Sequence, residues 1–167
     1  QCNWGLAQCR HDWVLVLDAD ERVDAALGAA VSKAVTDPAA AAYAVRRRNL
    51  AFGRRLRFGD WGADIVVRLL DRRQARFAER AVHGVVQAPS VGRLQGVIEH
   101  HTLRSLEQYL PKLHDYARRG AADATSQARH ASMATALAHA CWRFVRGYLF
   151  RLGFLDGSAG LVVAMLA

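Results

Sequence analysis

The sequence predicts an α/β fold, because stretches with the pattern of buried strands alternate with stretches of helical pattern. Residues 13–17 and 65–70 are short apolar runs, which are typical of strands buried within a sheet. Between them, residues 24–35 are rich in Ala and begin with Asp24, a good N-cap, so a helix is predicted there. From residue 105 onward the apolar residues recur with the period of an α-helix. We therefore expect a sheet followed by C-terminal helices.

The middle of the chain has the pattern of several short strands. Residues 43–48 begin one strand, and residues 50–58 predict a loop or hairpin with its turn at Gly53. Two further strands are predicted over residues 82–86 and 94–100. The part of the sheet that this sequence encodes is thus expected to be built from short elements.

Two helices are predicted in the C-terminal part of the chain. Ser105 and Gln108 form a capping-box pattern at the start of a helix over residues 105–118, which Pro111 is expected to kink or open. A second helix is predicted over residues 132–152 from its periodic apolar residues. These helices suggest a division into residues 1–104 and a helical extension, 105–167.

The composition indicates a globular chain with an excess of Arg. The 167 residues are 52% hydrophobic and 23% charged, enough for one domain with a core, and no run of 18 apolar residues is present. The formal net charge is +8, and only two of the 23 basic residues are Lys. Because Arg favours bidentate contact with phosphate, nucleic acid, anionic lipid and nucleotide diphosphates are the candidate partners. The three Cys form no CxxC pair, which suggests reduced thiols in a cytoplasmic setting.

An acidic motif, Asp18-Ala19-Asp20-Glu21, directly follows the first predicted strand. If the extended backbone persists, the side chains of Asp18 and Asp20 emerge on the same side. Carboxylates placed in this way suit Mg²⁺ or Mn²⁺ together with diphosphate oxygens. The alternative is a solvated Asp-rich turn, which is common after strands.

Seven stretches of the chain form an ordered set of motifs, namely Asn3 with residues 13–21, residues 47–49 and 52–54, residues 68–70, residues 82–83, His100, the helix over residues 105–118, and residues 153–157 with 160–161. Taken in this order, they resemble family 2 glycosyltransferases of the GT-A fold, and in particular the bacterial subgroup that acts on lipopolysaccharide core or related envelope glycans. The likeness covers nearly all of the chain, and although each motif is weak the ordered set is specific. The resemblance implies that residues 1–104 are the C-terminal part of a GT-A catalytic domain with a Rossmann-like sheet.

The resemblance also implies a binding site for a metal and a nucleotide sugar. Asp18 and Asp20 match the Asp-x-Asp element, which holds Mg²⁺ or Mn²⁺ and the diphosphate of the donor, and Asn3 is assigned to donor binding. His100 matches a late metal-coordinating histidine, with His101 as the alternative.

One departure from the family pattern concerns the general base for inverting transfer. Family members commonly have Val-His-Glu where this chain has Val82-His83-Gly84. Gly84 cannot remove a proton from the acceptor hydroxyl, so Glu79, or else Asp64, is the candidate base, and His83 is assigned to the catalytic region. The alternatives are that Glu79 is a surface residue and that the chain is a slow or inactive homologue that acts as a scaffold.

Four further residues are candidates for binding the acceptor. Trp61 either stacks on a sugar or fills the core, and Asp156 either caps a turn or lines the acceptor cleft. Arg47 and Arg54 are candidate phosphate contacts, with solvated positions as the default. Arg68, inside an apolar strand, is expected to pair with a carboxylate.

The implied partners are a nucleotide-sugar donor, a lipid-linked or lipopolysaccharide acceptor and an anionic membrane surface, at the inner face of a bacterial plasma membrane. The helix over residues 132–152 mixes Arg with aromatic residues, which suits a membrane surface or an ordinary bundle.

A rival hypothesis, a basic nucleic-acid-binding module, is motivated by the net charge and by the Arg-rich residues 46–57, but no recognisable nucleic-acid-binding motif supports it. Residues 1–4 and 161–167 suggest an internal piece that lacks the first nucleotide-binding strands.

Overall fold

The computed structural model describes residues 2–62, 64–78, 85–126 and 132–166 and has a mixed α/β architecture. Its strands are β1 (Trp13–Leu15), β2 (Glu21–Val23), β3 (Ala42–Ala51), β4 (Arg54–Arg55), β5 (Asp64–Asp71), β6 (Arg76–Phe77), β7 (Val86–Gln87) and β8 (Val91–Leu103). Its helices are α1 (Cys2–Gln8), α2 (Ala25–Thr36), the short α3 (Gly59–Gly62), α4 (Leu106–Ser126), α5 (Met133–Val145) and α6 (Gly157–Leu166). Between α5 and α6 lie a π-helical turn, Arg146–Phe150, and a 3₁₀ turn, Gly153–Asp156.

The chain divides into two compact units, each made of two segments. Unit 1 comprises Gln1–Arg47 and Ile65–His100, and unit 2 comprises Arg48–Asp64 and His101–Ala167. The long strands β3 and β8 each contribute residues to both units.

The sheet has the strand order β1-β5-β3-β8-β2, and β4 pairs with β3. Strand β1 pairs with β5 in antiparallel register, with Trp13 opposite Asp71. Strand β2 is also antiparallel to its neighbour β8, and Glu21 lies opposite His100. This second register brings the acidic motif next to the histidine that the sequence singles out.

Helix α2 covers the core of unit 1. Asp24 caps it by accepting a hydrogen bond from the backbone N–H of Leu27 at 2.8 Å, which confirms the predicted N-cap. Leu27 packs with Val45 and Ile98, which are also fully buried. Gly96 has a φ of +92°, and a Cβ there would lie 2.4 Å from the Leu27 nitrogen, so only Gly allows β8 to pass this close to the helix.

The start of the chain is fastened to the β6–β7 hairpin by Asn3. Its amide nitrogen donates to the Phe77 carbonyl at 2.8 Å, and its amide oxygen accepts from the Phe77 N–H at 2.8 Å. Leu6 of α1 packs with Phe77 and Leu70 in a second apolar cluster of unit 1.

In unit 2, glycines allow the C-terminal helical elements to pack at close range. A Cβ on Gly160 would lie 1.9 Å from the Gly153 carbonyl oxygen, and a Cβ on Gly153 would lie 2.7 Å from the Gly147 oxygen. Nearby, Ala159 and Val163 of α6 join the core of this unit with Leu103.

Several element predictions are corrected in extent. Strand β1 ends at Leu15 rather than at residue 17, and the helix predicted over residues 105–118 continues through Pro111 to Ser126. Pro111 lies in the second turn of α4, where a missing N–H removes only one intrahelical hydrogen bond. The helix predicted over residues 132–152 changes to π geometry after Val145.

Other elements differ from the predicted set or lie outside the described residues. Strand β2 has no counterpart among the predicted strands, and the short helix α3, which contains Trp61, has none among the predicted helices. The hairpin turn at Gly53 is confirmed, with a φ of +73°. Most of the strand predicted over residues 82–86 lies outside the described residues. The proposed division at residue 104 stays a prediction.

Among the described helices, none is by itself long and apolar enough to cross a membrane. One pair, Met133–Phe150 and Gly153–Leu166, reaches the required length and hydropathy when taken together, but its two arms are bent by 72°.

We predict that Gly160→Ala destabilises the chain whereas Gly28→Ala does not. The added methyl at residue 160 meets a backbone carbonyl that cannot move aside, and overpacking of this kind costs about 1 to 3 kcal/mol. At Gly28, also within a helix, a Cβ meets nothing within 4 Å, so Ala should stabilise by roughly 0.5 to 1 kcal/mol. Urea unfolding of both variants checks this, and equal stabilities would contradict it.

Asp71, at the end of β5, has a buried carboxylate with a lowered pKa. The Arg73 guanidinium donates to it through Nε at 2.9 Å and a terminal nitrogen at 2.8 Å. These hydrogen bonds lower the pKa of Asp71 from 3.8 to about 2, against the opposing effect of burial and with help from the Arg73 N–H and the Gln74 amide.

Because the folded pKa lies below the unfolded one, the charged form of Asp71 stabilises the fold fully above about pH 4 and progressively less as the pH falls towards about 2. The side chain of Asn cannot titrate at this position. Between about pH 4 and about pH 2, we therefore expect Asp71→Asn to lose about 1 to 2 kcal/mol less stability than the parent does. The measurement is the free energy of unfolding in urea, from about pH 7 down to about pH 2, for the parent and for Asp71→Asn. Asp37→Asn is the control variant, because Asp37 is an exposed carboxylate. If the parent and Asp71→Asn lose stability in parallel, the assignment is wrong.

Candidate functional site

The acidic motif forms a tight turn that its own last side chain closes. The backbone N–H of Glu21 donates to the Asp18 carbonyl at 3.0 Å, and the Glu21 carboxylate accepts the N–H of Asp18 at 3.1 Å. The strand therefore does not continue through the motif, although the Val16 N–H still donates to the Arg68 carbonyl at 2.8 Å. The condition that extended geometry persists to residue 20 is not met, because the chain turns at residues 19–20 to begin β2.

A buried ion-pair network surrounds the Glu21 carboxylate, whose side chain is fully buried. Arg68 donates to Glu21 at 2.6 Å and to Asp18 at 2.5 Å through the same terminal nitrogen. Arg47 donates to the same Glu21 oxygen at 3.3 Å. The prediction that Arg68 pairs with a carboxylate is confirmed.

The environment of Arg68 favours the charged form of its guanidinium. Burial opposes the charged guanidinium, but the Glu21 and Asp18 carboxylates outweigh this effect and raise the pKa of Arg68. Arg68 is thus a permanent cation that holds Asp18 and Glu21 together.

Asp20 and His100 meet beside this network. The His100 Nε2 lies 3.5 Å from a carboxylate oxygen of Asp20, and 15% of the histidine side chain and 27% of the aspartate side chain are exposed. Burial, followed by the nearby Arg47, lowers the pKa of His100, although Asp20, Glu21 and Asp18 oppose the shift. A neutral imidazole beside a carboxylate is a pair of groups that can ligate a metal.

The described side chains do not form a complete metal site by themselves. Among them, no group of three or more His, Cys, Asp or Glu residues is placed to hold an ion. Mg²⁺, however, is commonly bound by one or two protein carboxylates together with substrate phosphates. Asp20 can supply one such carboxylate, whereas one oxygen of Asp18 is engaged by Arg68. The imidazole of His100 is a nitrogen ligand, which suits a transition metal such as Mn²⁺ better than Mg²⁺.

The remaining candidates in unit 1 have structural partners. Asn3 holds the Phe77 backbone through both amide atoms, and Arg47 is tied to Glu21. These contacts explain their positions without a ligand. Glu79, His83 and Gly84 lie outside the described residues, so their assignments stay predictions.

The candidates in unit 2 are distributed among structural roles. The Asp156 carboxylate accepts the backbone N–H groups of Arg57 and Phe58 at 2.9 to 3.1 Å, so it caps a turn. Trp61 is half-buried in the core of this unit, with its ring centroid 6.1 Å from that of Tyr109. Arg54 is exposed on β4.

Asp64 and His101 also lie in unit 2. Asp64, the second candidate base, accepts a hydrogen bond from the Asn49 amide at 3.1 Å. The Nε2 atom of His101, the second candidate metal ligand after His100, is buried, and the described part of the chain offers it no hydrogen-bond partner.

Sequence reasoning missed the role of Glu21 as the centre of the network. The available signal was Arg68, since a cation inside an apolar strand requires an acidic partner. Nothing in the sequence specified which carboxylate that partner would be.

Comparison with known proteins adds no family or fold assignment, because no family model and no solved structure matches the chain.

We predict that Arg68→Met destabilises the chain by roughly 2 to 4 kcal/mol, because it leaves the buried Glu21 carboxylate with fewer compensating donors. Arg22→Met, on the exposed side of β2, should change stability by less than about 0.5 kcal/mol. Thermal and urea unfolding measure both variants.

A double variant tests the physical cause of this effect. If Arg68 acts by neutralising Glu21, the cost of Arg68→Met should be smaller in a Glu21→Gln background, giving a coupling of about 1 kcal/mol or more. Additive costs would mean that the two side chains contribute independently.

Proposed function

We propose that the protein is a glycosyltransferase that moves a sugar from a nucleotide-diphosphate donor to a lipopolysaccharide-core or other cell-envelope glycan. The observation that carries the proposal is the approach of Asp20 to His100, at 3.5 Å, beside the turn that Arg68 and Glu21 fix. The sequence resemblance to family 2 glycosyltransferases supplies the reaction. The proposed fold is correspondingly the GT-A fold.

Each residue of the turn has a distinct proposed role. Asp20 and His100 would hold Mg²⁺ or Mn²⁺, which neutralises charge on the departing nucleotide diphosphate. Asp18, held by Arg68, would accept a hydrogen bond from a donor sugar hydroxyl or from water in the coordination shell. Glu21 lies too deep for substrate and positions the other groups.

The acceptor hydroxyl has to lose its proton as it attacks the anomeric carbon from the face opposite the leaving group, so transfer proceeds with inversion. Glu79 is the proposed base. Asp64 is less suited, because its carboxylate already accepts a hydrogen bond from the Asn49 amide at 3.1 Å. The Gly at residue 84 keeps a second candidate function open, a homologue that binds the donor but transfers slowly or not at all.

We predict that Asp20→Asn weakens Mn²⁺-dependent binding of nucleoside diphosphates by at least about 100-fold, because a neutral amide is a far poorer ligand for a hard cation. UDP, GDP, ADP and CDP are titrated calorimetrically with and without Mn²⁺, using the longest form in which the protein occurs. Asp37→Asn is the matched control, since Asp37 is an exposed carboxylate at the end of α2.

The outcomes separate the hypotheses. Undiminished binding by Asp20→Asn would refute the metal assignment. Binding without sugar transfer or donor hydrolysis would identify an impaired homologue. Salt-dependent retention of DNA, with no nucleoside diphosphate bound at millimolar concentration, would favour the nucleic-acid-binding module.

A further inference from the structure

The bend between α5 and α6 exposes a concentrated group of apolar side chains. We call residues 149–155 the elbow. Five of its seven residues are large hydrophobics between 43% and 68% exposed, namely Leu149, Phe150, Leu152, Phe154 and Leu155. Contiguous exposed apolar surface is uncommon on soluble proteins and usually marks a surface that contacts another phase or partner.

The elbow is a turn with defined backbone geometry and side-chain contacts, not a frayed helix end. Leu152 adopts a left-handed backbone with a φ of 59°, which turns the chain sharply at this point. Asp60 accepts from Arg146 at 3.2 Å and from Arg151 at 2.6 Å, so it fastens both sides of the turn. Polar contacts therefore hold the turn that carries these exposed apolar side chains.

The apolar surface continues from the elbow onto α5. Trp142 is 56% exposed, and its ring centroid lies 5.9 Å from that of Phe150. Met133 and Leu137, nearer the start of the helix, are 77% and 59% exposed. Trp and Phe at the edge of an apolar surface are suited to the headgroup region of a bilayer, where an amphipathic ring is favoured.

The charges of this region complement an anionic surface. Arg146 and Arg151 are paired with Asp60, so Arg143 supplies the local positive charge, and residues 133–166 contain one carboxylate of their own, Asp156. That carboxylate is occupied by the backbone N–H groups of residues 57 and 58. The formal net charge of the whole chain is +8, which adds a long-range attraction to anionic lipid.

We propose that the elbow, together with Trp142, docks on the surface of an anionic lipid bilayer and inserts its apolar side chains into the headgroup region. The 72° bend suits a helix pair that lies at the interface, because neither arm alone has the length and hydropathy to cross. This inference goes beyond the proposed transferase and stands if that proposal fails.

The test is flotation with unilamellar vesicles that contain phosphatidylglycerol and phosphatidylcholine in equal amounts, at a salt concentration of about 0.1 M, where charge attraction still acts over roughly 10 Å. We expect the parent chain to bind, and the double variant Leu149→Ser with Phe150→Ser to lose at least about tenfold in affinity. Vesicles of phosphatidylcholine alone should bind the parent at least about tenfold less, since the charge attraction is absent.

The matched control replaces exposed apolar residues of strands, Ile65→Ser with Val91→Ser, which are 52% and 51% exposed. This control should bind vesicles like the parent. Circular dichroism and thermal unfolding confirm that both double variants fold, as expected for changes at exposed positions. A third variant, Trp142→Phe, should reduce the quenching of Trp fluorescence by brominated lipid.

Three outcomes would overturn the proposal. They are failure of the parent to bind anionic vesicles, equal binding by the elbow variant, and a parent dimer that the elbow variant converts to monomers without any vesicle binding. The last result would identify a second copy of the chain as the occupant of the elbow.

Discussion

The arrangement at the acidic turn depends on one buried carboxylate, that of Glu21. A charge without solvent is costly unless it is paired, and the partners here are Arg68 from β5 and Arg47 from β3. The ion pairs of Glu21 with these two arginines therefore connect the turn to two strands of the sheet. The register of β2 against β8 then places His100 opposite Glu21, within reach of Asp20. The proximity of Asp20 and His100 follows from this pairing.

Within the same network, the three carboxylates of the acidic motif have different neighbours. Arg68 and Arg47 together offset the charges of Asp18 and Glu21, while the carboxylate of Asp20 lies next to the imidazole of His100, whose pKa is lowered. Under the proposed function, a cation held by these two side chains would keep open coordination positions, which the donor phosphates would fill. On that proposal the metal and the donor would bind together, each strengthening the binding of the other, rather than the metal occupying a preformed cage.

The sequence was sufficient for what local patterns determine and insufficient for what distant contacts determine. Asp24 and Ser132 stand at recognisable helix starts, and both cap their helices. Strand β2 has only three residues, so it has no periodicity to detect, and it exists because β8 is beside it. Likewise, Arg68 signals an acidic partner, but only the fold specifies that Glu21, 47 residues away, is that partner.

Unit 2 uses the same physical device for a different purpose. Asp60, a largely buried carboxylate, pairs with Arg151 of the elbow and with Arg146, which precedes the elbow in the chain. Moving an unpaired cation toward a low-dielectric layer is unfavourable, whereas moving a pair already neutralised within the protein is less so. With Arg151 compensated by Asp60, the neighbouring Phe150 can enter the headgroup region without carrying an unpaired charge with it. The internal ion pairs thus allow an apolar contact with lipid beside Arg146 and Arg151.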